Sequence, residues 1–293
     1  MSWPRVLLPE SLEELLELRE RHGSDTALLA GGTALMNRIR TGEDTPAALL
    51  AMGRLSELRG IEAGAGKLRI GALVTHRQLE RSATARAALP LLTSVVSLVA
   101  NRRVRNVGTL GGNVSDADYG YDPPGVLHAL GARVTLRSKH ASRELTLDEF
   151  LFGHHRTALA GDEVMTGVEV PLPAGDADWV YLKHLTRSAE DRPALSVCAL
   201  ARQDADGRCS DLRISVRAAR PVPMRVEAAE AMARGRSLAD GELVAEIAEA
   251  YARASDPVDD LRASAAYRRR LVPVLVRRAL EDLGNRRRRA VKV

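Results

Sequence analysis

Two segments in which paired glycines interrupt apolar runs constrain this chain of 293 residues more than any other feature. The first is AGGTALM at residues 30–36, and the second is RNVGTLGGN at residues 105–113. In each, the glycine pair is followed at once by a small polar residue, Thr33 or Asn113, and Thr109 precedes the second pair. Glycine reaches positive φ and lets a backbone approach a ligand with no Cβ in the way. Successive N–H groups at such a turn make an anion-binding nest, and a helix starting just beyond adds a favourable dipole. Two nests on one surface suit a pyrophosphate. Taken alone, either cluster is more simply an ordinary glycine turn.

The periodicity around these segments indicates three units. Residues 11–21 read as a helix, with Ser11 and Glu14 as a capping box and Leu12, Leu15, Leu16 and Leu18 on its apolar face. A strand at 26–30, a brief helix ending at Gly42 and a strand at 47–52 complete a β–turn–α–β unit. Residues 61–73 look like a hairpin, Thr75 and Gln78 cap a helix, and Pro90 opens another over 90–100. A helix at 124–130, strands at 132–137 and 163–170, and a linker at 171–178 follow. The pattern then changes to strands at 179–185, 194–201 and 212–218, with Asp206-Gly207 turning between the last two. Helices over 225–233, 241–254 and 263–283 close the chain. Three strands followed by three helices mark a separate α+β domain. The expected divisions are 1–55, 56–175 and 176–285, with a basic tail at 286–293.

Composition removes several functions. With 45% hydrophobic and 28% charged residues the chain is globular, and no stretch nears the roughly 20 apolar residues of a membrane span. The N-terminus turns acidic early and lacks a signal-peptide pattern, so a cytoplasmic protein is expected. Cys198 and Cys209 are too few to ligate an iron–sulfur cluster, and any cluster must sit on another chain. The net charge of +5 gathers near the end, in Arg268, Arg269, Arg270, Arg277, Arg278 and the run at 286–289. These arginines share their region with Glu281 and Asp282 and have no interleaved aromatics, so no nucleic-acid role is expected. AGAGKL at 63–68 fails as a phosphate loop, because its first glycine and its Ser or Thr are missing. His154 and His155 are adjacent, expected on opposite faces of a strand, and no metal site or catalytic nucleophile is read.

AGGTALM, then RNVGTLGGN about 75 residues on, then Asp122-Pro123-Pro124 leading into a Leu/Ala helix, closely resembles the flavoprotein subunit of molybdenum hydroxylases. Its relatives are the medium subunit of carbon monoxide dehydrogenase and the flavin domain of xanthine dehydrogenase. The likeness runs nearly end to end through YLKHLTRSAEDRPALSV, DGRCSDLRISV and AAYRRRLVPVLVRRAL. It implies an α+β fold: two α/β subdomains of the PCMH-type FAD-binding fold, then a C-terminal domain of a three-stranded antiparallel sheet and a three-helix bundle.

By the same resemblance, the amides of Leu28, Leu29, Ala30, Gly31, Gly32, Thr33, Ala34 and Leu35 would hold the pyrophosphate of FAD. Thr109, Gly111, Gly112 and Asn113 would hold it from the second subdomain, with the Gly112 amide approaching at positive φ. Asp122 would bond a sugar or ribityl hydroxyl, and Asp118 belongs to the same loop. Val99, Met165 and Lys183 would line the flavin; Lys183 is otherwise a surface lysine or a partner of Asp191. Many relatives carry Pro and a small residue where this chain has Tyr119-Gly120, so Tyr119 or Tyr121 either reaches the flavin or packs. The implied function is electron relay. Partners would be a molybdopterin-binding large subunit and a [2Fe–2S] small subunit, with NAD, O2 or a quinone as acceptor. A self-sufficient flavin oxidoreductase of the same fold and a basic cofactor-free binding protein remain as alternatives.

Overall fold

The structure is a computed structural model that describes residues 3–173, 175, 177–285 and 290–293. The arginine run at 286–289, and Ala174 and Asp176 of the expected linker, lie outside the described residues. Short apolar runs make the first layer: β1 (Arg5–Leu7), α1 (Leu12–His22), β2 (Thr26–Leu29), α2 (Leu35–Thr41) and β3 (Ala48–Ala51). The strands form a parallel sheet in the order β1-β3-β2. Ser11 caps α1 by accepting from the Glu14 amide (3.1 Å), but the Glu14 carboxylate takes the Glu10 amide (2.8 Å), so the capping box is one-sided. Leu12, Leu15 and Leu16 of α1 pack with Leu50, Met52 and Leu73.

The second layer is a five-stranded antiparallel sheet in the order β4-β5-β10-β6-β7, covered by short helices. Its strands are β4 (Ile61–Gly64), β5 (Lys67–Gly71), β6 (Arg133–Arg137), β7 (Ser142–Thr146) and β10 (Val164–Pro171). Between them run α3 (His76–Arg81), α4 (Ala83–Ala88), α5 (Pro90–Val96), α6 (Arg102–Val107), α7 (Leu110–Asp116), α8 (Asp122–Ala129) and α9 (Leu147–Phe150). A small hairpin of β8 (Leu151–Gly153) and β9 (Arg156–Thr157) completes it. Thr75 and Gln78 make the full reciprocal capping box expected for α3. The helix expected over 90–100 stops at Val96; Ala100 turns to φ 43° and Asn101 caps α6. Pro123 and Pro124 sit in the first turn of α8, where no backbone N–H is required.

The C-terminal unit contains β11 (Asp178–His184), β12 (Leu195–Gln203), β13 (Cys209–Arg217), α10 (Glu227–Ala231), α11 (Gly241–Ala254), α12 (Ala265–Gly284) and β14 (Ala290–Lys292). The antiparallel trio gains a fourth strand, because β14 pairs in parallel with β11 along its open edge. Part of the expected basic tail is therefore sheet, with Lys292 ion-paired to Asp282. The sheet is buried on both faces, which explains its near-continuous apolar runs. Val180, Leu182, Val197 and Ile214 face the helices, while Trp179, Tyr181, Cys198 and Leu200 join the core of the second layer. No helix among the described residues is long and apolar enough to cross a membrane.

The fully buried Arg268 ties α12 to this sheet and to the loop before it. Its guanidinium donates to the carbonyls of Ala194 (2.8 Å), Ala263 (3.1 Å) and Val258, and to Asp260 (2.7 Å). Arg268→Met removes one donor from each of three carbonyls and from Asp260, which keeps Tyr119 and Arg262, and should lower the unfolding free energy by about 3–5 kcal/mol in a denaturant titration.

Candidate functional site

A cleft of about 490 Å³ runs between the first layer and the helices of the second, within the roughly 300–1,000 Å³ usual for ligand pockets. Its rim is formed by the loop after β2, the starts of α2 and α8, α7, and the segment Glu190, Asp191 and Arg192 of the C-terminal unit.

Gly31 is required by packing. A Cβ there would overlap the carbonyl oxygen of Val107 and lie 2.7 Å from its carbon, so the two glycine segments touch backbone to backbone. Gly32 turns the chain at φ 69°. The amides of Gly31, Gly32, Thr33 and Ala34 have no hydrogen-bond partner among the described residues. Such a row of free N–H groups is an anion cradle.

The second segment is built differently from the expected nest. Gly111 and Gly112 lie in the first turn of α7, and neither has positive φ. Their amides are already used: Leu110 donates to Val74 O (2.9 Å) and Gly111 to Ala72 O (3.0 Å), while Gly112 donates to Thr109 Oγ1 (3.1 Å) and Asn113 to Thr109 O (2.9 Å). Gly111 is needed because a Cβ would sit 2.6–2.8 Å from Ala72. What this segment offers a ligand is side chains. The Thr109 hydroxyl keeps its hydrogen to donate, and of the Asn113 side chain only Nδ2 can donate to a phosphate, its Oδ1 being an acceptor enclosed without a partner among the described residues. Four amides on one side and polar side chains on the other fit the pyrophosphate of a dinucleotide cofactor.

Leu28, Ala30, Leu35, Val99, Met165 and Asp122 also line the cleft, but Leu29, Asp118 and Lys183 do not. Lys183 is neither a surface lysine nor a partner of Asp191. Strand alternation puts it on the face of β11 that carries Trp179 and Tyr181, where it is fully enclosed. Its Nζ donates to Asp122 Oδ2 (3.0 Å) and Leu98 O (3.0 Å), and the Tyr181 hydroxyl donates to Asp122 Oδ1. Burial pushes the Asp122 carboxyl above its usual range, with Lys183 and Tyr181 acting against it. The start of α8 is therefore bolted to the C-terminal sheet. His128 adds a contact of 3.0 Å to Ser215, and Arg217 fills the space a Gly125 Cβ would need, 2.6 Å from its Cγ.

Sequence spacing missed a second set of residues. Arg38 of α2 crosses the cleft to Asp116 of α7, and its Nε also donates to Asp44 (2.8 Å). Asp116 accepts from the Tyr121 hydroxyl as well (2.8 Å), and Arg192 lies over the Tyr121 ring at 4.7 Å. Of the two tyrosines, Tyr121 thus reaches the cleft. Tyr119 packs: its hydroxyl donates to Asp260 (2.6 Å), and burial followed by Asp260 pushes its pKa up to about 12. Asp118 is buried beneath, accepting from Arg192 and from the Gly120 amide (2.7 Å). Its carbonyl accepts from Arg217 (2.8 Å), whose guanidinium burial brings down to about 10. His154 and His155 occupy the turn between β8 and β9 and do not take opposite strand faces; their rings stack at 3.9 Å beside Asp118. The Arg38–Asp116 and Arg192–Asp118 pairs join positions 78 and 74 apart in the chain, and no local signal announces them.

Residues 3–173 match the family model described as FAD binding domain in molybdopterin dehydrogenase, and residues 180–283 match CO dehydrogenase flavoprotein C-terminal domain. The chain is 32% identical over 272 residues to the carbon monoxide dehydrogenase medium chain of Hydrogenophaga pseudoflava, covering 93% of this chain and 94% of that one. It is 31% identical over 283 residues to the nicotine 6-hydroxylase medium subunit of Paenarthrobacter nicotinovorans, covering 96% and 98%. A solved structure of the H. pseudoflava carbon monoxide dehydrogenase lacking the Mo-pyranopterin moiety matches with a TM-score of 0.92 at 33% identity, covering 99% of this chain and 100% of that one.

Three substitutions test the site as built. Gly31→Ala must part the two glycine segments and should cost about 1–3 kcal/mol or more, whereas Gly112→Ala has only the Thr109 hydroxyl to displace, at 2.8 Å; thermal melts should rank them in that order. Lys183→Met leaves Asp122 buried without its counter-charge and should cost about 3–5 kcal/mol near neutrality. Because the folded state then favours the protonated carboxyl, that deficit should shrink as pH falls and grow as pH rises through the raised pKa. A pH series of denaturant titrations reads it directly.

Proposed function

This chain belongs to the family of FAD-binding medium subunits of molybdenum hydroxylases, and from that premise we propose that its cleft holds FAD and that the protein relays electrons for a complex. Its fold is the PCMH-type FAD-binding fold followed by the C-terminal α+β domain of these flavoproteins. The observation that carries the cofactor reading is the row of four free amides, Gly31 to Ala34, beside a second glycine segment whose Leu110 to Asn113 amides are engaged.

In this reading the amides of Gly31, Gly32, Thr33 and Ala34 donate to the pyrophosphate, with the Thr109 hydroxyl and the Asn113 side chain opposite. Leu28, Val99 and Met165 give the apolar wall against which a flat ring is held away from water. Asp122 keeps lone pairs on both carboxylate oxygens beyond those used by Tyr181 and Lys183, and can accept a cofactor hydroxyl. Lys183 acts through Asp122, fixing its position. When bound, FAD supplies the redox chemistry, accepting electrons singly and passing on a pair. No side chain in the cleft is asked to act as acid or base on an organic substrate.

The proposed partners are a molybdopterin-binding large subunit and a [2Fe–2S] small subunit, and the acceptor is NAD, O2 or a quinone. Cys198 and Cys209 are buried and unpaired, burial raises both thiols, and two cysteines are too few to ligate an iron–sulfur cluster. Free buried thiols also accord with a cytoplasmic setting. The purified chain should release FAD on acid treatment and oxidise no aldehyde, purine or carbon monoxide with an artificial acceptor. Assembled with molybdenum and iron–sulfur subunits, it should show flavin absorbance bleached by substrate. Released FMN, or turnover of an organic substrate by the isolated chain at a normal enzymatic rate, would overturn the proposal.

A further inference from the structure

His76 opens α3 and is only 2% exposed, yet it lines the cleft. Its amide donates to the Gly108 carbonyl (2.9 Å), which sets the ring beside the second glycine segment. The point where a Gly108 Cβ would stand is 3.4 Å from His76 Cδ2 and 3.6 Å from Thr33 Oγ1, so the imidazole also neighbours the loop of free amides. His76 Nδ1 is enclosed and has no hydrogen-bond partner among the described residues. Buried polar atoms normally have one; the ring edge that comes within reach of Gly108 is the other one, which carries Cδ2 and its neighbour Nε2.

The charges around the ring are defined. Arg105 of α6 stands nearest in effect; its guanidinium donates to the carbonyls of Val99 (3.0 Å) and Ala100 (2.8 Å) and to Glu80 (3.1 Å). Glu80, on α3 itself, is also taken by Arg77 (2.8 Å). The imidazole thus has a cation beside it, and the Glu80 carboxylate is shared between two arginines. Burial, then Arg105, brings the His76 pKa down to about 4, so at neutral pH the free protein holds a neutral ring.

Resting on the reading of the cleft as an FAD site, we propose that His76 is a phosphate-contacting residue, taking a proton from solvent as the cofactor's diphosphate arrives and donating to it as an imidazolium. An anion delivered next to the ring supplies the counter-charge the protein withholds. The sign follows from linkage. The bound-state pKa lies above the free-state value, so between the two, binding absorbs a proton and affinity strengthens as pH falls, by at most about tenfold per pH unit. Above the bound-state pKa the affinity is flat.

The test is the dissociation constant of FAD, from flavin fluorescence quenching, between pH 5.5 and 8 for wild type, His76→Asn and His76→Gln. ADP-ribose serves as a diphosphate probe without flavin, and riboflavin as a flavin without phosphate. Thermal melts confirm that each protein is folded across the range. Wild type should bind FAD and ADP-ribose about five- to tenfold more tightly at pH 5.5 than at 7.5, with riboflavin unaffected and both variants flat. The His76 ring, followed by NMR in the wild type, should titrate at higher pH when ADP-ribose is bound. A flat wild type, or an equal slope in the variants, overturns the role of His76 while leaving the flavin site intact. A folded wild type that binds neither FAD nor ADP-ribose at any pH overturns the flavin reading, and this inference with it.

Discussion

The cleft exists because two stretches of backbone meet with no side chains between them. A Cβ on Gly31 would overlap the Val107 carbonyl, and one on Gly111 would strike Ala72, so both contacts need glycine. The first brings the turn after β2 against the second layer; the second seats the start of α7 on the strand end at Ala72. Interiors are packed too densely to absorb an added methyl cheaply. Once the two segments touch, Gly32 turns the chain at φ 69°, and Arg38 closes the far side by reaching Asp116. Every other feature of the cleft depends on that approach.

The C-terminal unit supplies a wall held by buried charge. Lys183, Asp122 and Tyr181 meet where β11 passes the start of α8, and Arg217 and Asp118 lie close by. Taking charges out of water is costly, and such a pair contributes little net stability compared with a well-packed apolar one. What it does provide is position: a lysine enclosed in a sheet buried on both faces has one acceptable partner geometry. The same unit sends Arg192 over Tyr121 at the rim, so the cleft is shaped by all three parts of the chain.

Much of this was legible in the sequence. Glycine pairs between apolar runs located both segments, Pro123-Pro124 marked the start of α8, and near-continuous apolar runs gave β11, β12 and β13. What escaped had physical reasons. Helices α6 and α7 span six and seven residues, too short to show a 3.6-residue period. The glycines at 111 and 112 looked like a turn because the same residue serves close packing inside a helix. From the sequence Lys183 reads as lining the flavin or, because a lysine is usually exposed, as a surface residue, although its alternation with Tyr181 puts it on the inward face. The Arg38–Asp116 pair joins positions 78 apart and has no local signature, and β14 was hidden behind a run of arginines.

The central claim is that the free amides of one glycine segment, and not those of the other, receive the cofactor. Amide hydrogen exchange with and without FAD tests it most directly, since the two segments differ in which N–H groups are already bonded. Gly31, Gly32, Thr33 and Ala34 should exchange quickly in the free protein and become strongly protected when FAD binds. Leu110 to Asn113, already donating within the protein, should change little. Protection arising at 110–113 with none at 31–34 would contradict it.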